Sequence, residues 1–345
     1  MDRKSSMKNI MILDCTLRDG AQVNSARFGE HAIKDITSNL VAAGIDIVEC
    51  GFLKKCEFEA GRTYYPQPSY MIPYLPNKHN DTMFAALMDF GRYDVDKLEP
   101  YKGDSVDIIR ISFFEWDLGR VGSFIKTVQE KGYLVSIQPM DTFSYTDYDL
   151  EKLVELANET APFMLSMVDT YSVADEDDID RVYSKYQSGI ENNIKIGFHS
   201  HNNRLNSFGL AKHFIGISAD DSNIVCDASL FGMGRGAGNL NTEIIAEYLC
   251  RNKSKHYNMN NLLDMIDKYI LDYKETYEWG YSMPMLYAGL TGSHVFTASY
   301  LAKKHGVTSY DLKCMLERLD EHKKKRYDYD YLDEVYNDYM RGKRI

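Results

Sequence analysis

The chain has 345 residues, 44% of them hydrophobic, and a formal net charge of −11. That length suits one α/β barrel of about 250 residues plus an appendage, and the acidic balance is the reverse of a phosphate-backbone binder's, so nucleic acid is excluded as a partner. No apolar run approaches the roughly 18 residues of a membrane span, and the six cysteines lack C-x-x-C spacing, which fits reduced thiols in a cytoplasmic protein.

The chain opens on MDRKSSMKN and then a four-residue apolar run, with no small-residue cleavage site behind it, so no secretory signal is expected. That run, 10–13, is the first of eight short apolar segments. The others are 45–50, 83–88, 106–111, 134–138, 163–168, 194–198 and 224–228. They are continuous and rich in Ile, Val and Phe, as parallel strands buried on both faces should be.

Helical patterns at 30–43, 118–130, 150–159, 177–187 and 206–213 lie between most of them, and 243–251 follows the eighth. Eight strands with intervening helices predict a (β/α)8 TIM barrel over 1–255. The segment 54–80, which holds Pro66, Pro68, Pro73 and Pro76, is a long insert after the second strand. It is either a lid or a packed irregular excursion. From 258 to the end the pattern is helical without strand rhythm, which predicts a C-terminal all-α domain over 256–345.

Three strand ends carry candidate chemistry. After the first comes Asp14-Cys15-Thr16-Leu17-Arg18-Asp19-Gly20-Ala21-Gln22. It offers a carboxylate and a planar, permanently charged guanidinium, or else an Arg–Asp pair that only stitches a turn. After the seventh comes Gly197-Phe198-His199-Ser200-His201-Asn202-Asn203. In extended backbone residues i and i+2 share a face, so His199 and His201 can present two imidazoles to one point, where a divalent metal is a common guest. Strands one and seven of eight are separated only by strand eight, so Asp19 can reach that point.

After the eighth strand comes Gly232-Met233-Gly234-Arg235-Gly236-Ala237-Gly238-Asn239. This loop can cradle a phosphate, hold Asn239 towards the centre as an oxygen ligand, or simply turn. Three lesser candidates end other strands. Glu49 is a buried acid or an orienting partner for Arg18. Arg110 is a candidate for a substrate carboxylate. Asp169-Thr170 can hydrogen-bond a substrate.

Together these motifs resemble the DRE-TIM metallolyase superfamily, which includes 4-hydroxy-2-oxovalerate aldolase, 3-hydroxy-3-methylglutaryl-CoA lyase and isopropylmalate synthase. The stretch 289–301 and the Lys-Lys-His-Gly at 303–306 look most like the aldolase branch. The resemblance implies Asp19, His199 and His201 as metal ligands, with Asn239 as a further one, and Arg18 at the enolate oxygen. The cation would be Mn²⁺ or Mg²⁺, with Zn²⁺ and Co²⁺ also compatible.

The chain departs from the aldolase pattern in two places. Gln22 stands where aldolases carry a histidine base, as in the synthase and lyase branches. The stretch that supplies their tyrosine here holds His294 and Phe296. The base is then a metal-bound water, His294 or Glu49.

The expected reaction is carbon–carbon cleavage or formation through the enolate of a 2-oxo acid such as pyruvate. Two alternatives stand beside it: a Claisen-type acyltransferase that joins an acyl-CoA to a 2-oxo acid, and a non-catalytic partner-binding barrel. In the aldolase family the helical domain docks a dehydrogenase. An aldehyde dehydrogenase or a second copy of the chain is therefore the candidate macromolecular partner.

Overall fold

A computed structural model describes residues 9–76, 81–191, 193–218, 222–253 and 255–343. The expectation about a leader falls mostly on 1–8, outside the described residues. Eight parallel strands form a ring: β1 (Asn9–Asp14), β2 (Ile47–Leu53), β3 (Met83–Asp89), β4 (Ile108–Phe113), β5 (Leu134–Pro139), β6 (Met164–Asp169), β7 (Lys195–Ser200) and β8 (Asn223–Ala228). Each pairs with the next, and β1 pairs with both β2 and β8, which closes the barrel. The eight strands of the sequence reading are these eight.

Outside the ring lie α1 (Glu30–Ala42), α2 (Val121–Glu130), α3 (Asp147–Thr160), α4 (Glu176–Gly189), α5 (Ser207–Ile217) and α6 (Thr242–Asn252). Each turns an apolar stripe inward, as α1 does with Ile33, Ile36 and Leu40. The α3 start is fixed by a reciprocal capping box between Thr146 and Asp149. Among the described residues β3 and β4 are joined by no α-helix, only a 3₁₀ turn at Val95–Lys97.

The barrel interior is layered. Its lower part is apolar, with Leu13, Ile47, Ala85, Ile108, Met164 and Val225 in one buried cluster. Two residues further along β2, β4 and β8 the inward side chains become Glu49, Arg110 and Asp227. The two-residue period of a strand therefore stacks a polar layer on an apolar floor.

The insert after β2 is packed. Tyr64–Tyr65 forms a short strand beside β2, and Pro68–Tyr74 is a 3₁₀ helix. Tyr65, Met71 and Tyr74 are buried in the main core. Of the two readings of 54–80, the packed excursion is the one found, with 77–80 outside the described residues.

After α6, a helix runs Met259–Met265 and continues through a π-helical turn, Ile266–Ile270, into Leu271–Thr276. Leu262, Met265, Ile266 and Ile270 join the barrel's outer core, as does Trp279. A separate core gathers Ala288, Val295, Ala298, Leu301, Leu312 and Met315. It belongs to α7 (Met283–Thr291), α8 (Val295–Ala302), α9 (Ser309–Glu317) and α10 (Tyr329–Lys343). Divided by core membership, the helical unit starts near 280, and we propose that boundary over 255.

This unit docks on the loops at the strands' C-terminal ends. Lys325 is ion-paired to Asp141, and the Tyr171 hydroxyl donates to the Lys325 carbonyl at 3.1 Å. No disulfide joins any of the six cysteines. Among the described residues no helix is long and apolar enough to cross a membrane.

Candidate metal centre

The turn after β1 brings Asp19 inward. The amides of Arg18 and Asp19 both donate to the Cys15 carbonyl, at 3.1 and 2.7 Å, which curls the chain into a single tight turn. His199 lies in β7 and His201 just beyond its end. A β-bridge joins His201 to Asn239, which fixes the glycine loop beside the strand. The Ala237 amide donates to the buried Asn203 side chain at 2.9 Å and anchors the loop a second time.

Two glycines make the approach feasible. A Cβ on Gly197 would collide with Ser166 and Met164 inside the barrel. One on Gly234 would collide with Asp19 and Asn239, so the loop closes over the carboxylate only because that position lacks a side chain.

The result is a compact group. One ligand atom from each of Asp19, His199 and His201 lies within 4.8 Å of the others, and all three residues are buried. The two imidazole rings stand perpendicular with centroids 5.1 Å apart. His201 Nδ1 is buried without a hydrogen-bond partner, 3.9 Å from Asp19 Oδ2. Asn239 donates through Nδ2 to Asp19 Oδ2 at 2.9 Å, and its Oδ1 is buried and unpartnered.

Charge is arranged to match. Burial works against an ionised Asp19, but Arg18 and the two histidines outweigh it and hold the carboxyl well below its ordinary value. Burial pushes His201 down to about 3 against the opposing pull of Asp19, so the ring is neutral with a free lone pair. An ionised carboxylate beside neutral, unpartnered imidazole nitrogen is a donor set that divalent cations take. The residues fit the expected metal.

Beneath this group runs a continuous ladder of buried charge. Arg18 donates through Nη1 to Asp19 and through Nε to Glu49, both at 2.7 Å. Glu49 Oε2 is also 2.8 Å from Arg110 Nη1. Arg110 pairs with Asp227 through Nη2, which also donates to Gln138 at 2.9 Å. Asp227 Oδ2 lies 3.1 Å from His199 Nδ1. Both Arg110 and Glu49 are 0% exposed.

Two of the sequence candidates lie in this ladder. Arg110 was a candidate for a substrate carboxylate, but its guanidinium is committed to two protein carboxylates below the rim. Glu49, read as a base or as an orienting partner for Arg18, is fully buried between the guanidinium groups of Arg18 and Arg110. Asp227 was not singled out. Its signal was a lone carboxylate inside the apolar run of β8.

The remaining candidates lie on other elements. Thr170 Oγ1 accepts from the Asp141 amide at 2.8 Å, tying two loops together. Gln22 is half-buried on the short helix Ala21–Asn24, and its side chain makes no hydrogen bond among the described residues. His294 caps α8, accepting the Phe296 amide at Nδ1 over 3.1 Å. That bond occupies the lone pair a base would need, so His294 in this state is a donor through Nε2.

Residues 9–268 match the HMGL-like family model. The chain is 25% identical over 244 residues to an oxaloacetate decarboxylase of Mycobacterium tuberculosis, covering 70% of each chain. It is 24% identical over 324 residues to a 4-hydroxy-2-oxovalerate aldolase of Shewanella pealeana, covering 90% of this chain and 92% of the relative.

Among solved structures, the N-terminal domain of a candidate aldolase from Bacteroides vulgatus superposes with a TM-score of 0.72 at 22% identity, over 85% of this chain and 97% of that one. The HMG-CoA lyase of Brucella melitensis does so at 0.56 and 13%, over 78% and 98%. These structural likenesses carry the fold.

Proposed function

The chain belongs to the HMGL-like family, and from that premise we propose that it is a divalent-metal-dependent carbon–carbon lyase that works through the enolate of a 2-oxo acid. The relatives' names point to one chemistry. Breaking the C3–C4 bond of 4-hydroxy-2-oxovalerate or of oxaloacetate leaves the same pyruvate enolate. Only the other fragment differs, an aldehyde or carbon dioxide. The observation that carries the reading is the convergence of Asp19, His199 and His201 within 4.8 Å, with the Arg18 guanidinium 2.7 Å from Asp19.

In this reading Asp19, His199 and His201 hold the cation, with the Asn239 amide oxygen as a further ligand. The mixed nitrogen and oxygen set admits Mn²⁺, Mg²⁺, Zn²⁺ and Co²⁺ without choosing among them, and Mn²⁺ or Mg²⁺ is the proposed ion. Once bound, the cation supplies Lewis acidity to the keto oxygen of the substrate. Arg18 stabilises the negative charge that develops on the same oxygen. Glu49 holds its Nε and Asp19 its Nη1, so the guanidinium is fixed in place before the reaction begins. Gln22 lacks a basic nitrogen and is assigned a hydrogen bond to substrate. Cysteines without disulfides fit residence in the cytoplasm.

The test is enolisation. Pyruvate incubated in D₂O with the protein and Mn²⁺ should exchange its C3 hydrogens, and the exchange should cease with Arg18→Ala. No exchange with any simple 2-oxo acid sinks the reading. Gln22 favours one competitor, the Claisen condensation of an acyl-CoA with a 2-oxo acid. Release of free CoA from acetyl-CoA in the presence of a 2-oxo acid would establish that competitor.

A further inference from the structure

The loop after β8 carries a cation that the metal centre does not use. Arg235 sits between Gly234, whose backbone closes on Asp19 and Asn239, and Gly236, whose backbone closes on Val295 of α8 and Met285 of α7. It therefore stands at the seam between the proposed metal ligands and the helical unit. Its field reaches Asp19 and His201 on one side and Tyr171 and His294 on the other. The side chain is half-buried, yet among the described residues its guanidinium makes no hydrogen bond and no ion pair.

The other arginines near the barrel mouth differ. Arg18 is engaged by Asp19 and Glu49, Arg110 by Glu49 and Asp227, and Arg204 by Asp175. A guanidinium partly withdrawn from water without an anion bears a desolvation cost that an anionic ligand would offset.

A second donor lies close by: the backbone at Gly236, next to Arg235, packs on Val295, next to His294. His294 is buried, and burial together with Arg235 pushes it down to about 3, so it is neutral. Its Nδ1 already accepts the Phe296 amide, which puts the ring proton on Nε2. The Tyr171 ring is 6.4 Å from its centroid. A fixed positive charge and a neutral N–H donor, with no acidic side chain among the described residues paired to either, make a site for a small anion.

We propose that Arg235 and His294 form a second anion site at the barrel mouth, which holds a carboxylate at the far end of the substrate. The substrate is then a 4-hydroxy-2-oxo dicarboxylic acid, with one carboxylate at the metal end and the other at Arg235. This rests on the 2-oxo acid reading above and deepens it. In the cleavage direction the C4 hydroxyl loses its proton and its electron pair closes a C4 carbonyl. The C3–C4 pair moves into the enolate, and a proton added at C3 completes pyruvate. The second product is a carbonyl compound that keeps the carboxylate held by Arg235.

The test compares two unreactive ligands of equal chain length on the Mn²⁺-loaded protein by calorimetry. 2-Oxoglutarate ends in a carboxylate and 2-oxovalerate in a methyl group. The dicarboxylate should bind roughly 10- to 100-fold more tightly, the range of a charge-assisted contact. Arg235→Ala should bring that ratio close to one, and Arg235→Lys should recover part of it.

Equal affinities in the wild type, or a ratio unchanged in Arg235→Ala, overturn the proposal. Pyruvate exchange on the same preparation separates the two claims. If exchange occurs and the two affinities are equal, the anion site alone falls. If neither ligand binds and no exchange occurs, the 2-oxo acid reading falls and the anion site with it.

Discussion

His199 Nδ1 lies 3.1 Å from the buried carboxylate of Asp227. The contact fixes the ring so that Nε2 is left for a metal, and it ends a ladder that began at Asp19. Two of the three proposed ligands are thus tied to each other through Arg18, Glu49, Arg110 and Asp227. The ladder carries three carboxylates and two guanidinium groups. Below Asp19 two carboxylates balance two guanidinium groups, so the one excess negative charge is that of Asp19 itself, at the proposed metal site.

Asp227→Asn keeps the shape and removes the charge that orients His199. Partners of this kind typically contribute roughly 10- to 100-fold in metal affinity. Mn²⁺ titration followed by electron paramagnetic resonance should show a loss of that order, with the far-ultraviolet circular dichroism unchanged. An affinity equal to wild type would mean that the contact does not orient the ligand.

Arg110→Met leaves Glu49 and Asp227 without their shared counter-charge in a dry interior. Removing one partner of a buried network costs roughly 3–5 kcal/mol, so urea denaturation should show a loss of that size. If Arg110 instead bound substrate, the variant would retain wild-type stability and lose affinity for the 2-oxo acid. The two outcomes separate a positioning role from a binding one.

Asp14 ends β1 and accepts from Thr242 Oγ1 at 2.6 Å and the Thr16 amide at 2.9 Å. Burial raises its carboxyl from 3.8 to about 6, and these hydrogen bonds only partly oppose the rise. A raised value means that the folded state holds the proton more tightly than the unfolded chain. The contribution is complete below pH 3.8 and is lost as pH rises through about 6. Stability measured by urea midpoint should therefore decline less steeply over that window in Asp14→Asn than in wild type. An identical slope would contradict the assignment.

Much of this architecture is readable from sequence because buried parallel strands are continuous apolar runs. All eight were placed within a few residues, and the H-x-H pair fell at the end of β7 as its period requires. Direction and depth were harder. Arg110 was expected to end β4, but the strand runs on to Phe113 and leaves Arg110 two residues above the apolar floor, and composition does not reveal which neighbours await it there. Asp227 was passed over for the same reason.

The insert after β2 could be seen as an insert. Its packing depends on Tyr65, Met71 and Tyr74 finding the core, which is tertiary information. The helix from Met259 to Thr276 likewise carries no local mark of which core it joins.

The central claim is that Asp19, His199 and His201 hold one divalent cation. The most direct measurement is Mn²⁺ stoichiometry after equilibrium dialysis, on wild type, Asp19→Asn and His199→Gln, with folding checked by circular dichroism. The account predicts one ion per chain in the wild type and its loss in both variants. A wild-type protein that retains no ion, or variants that retain the full complement, would contradict it.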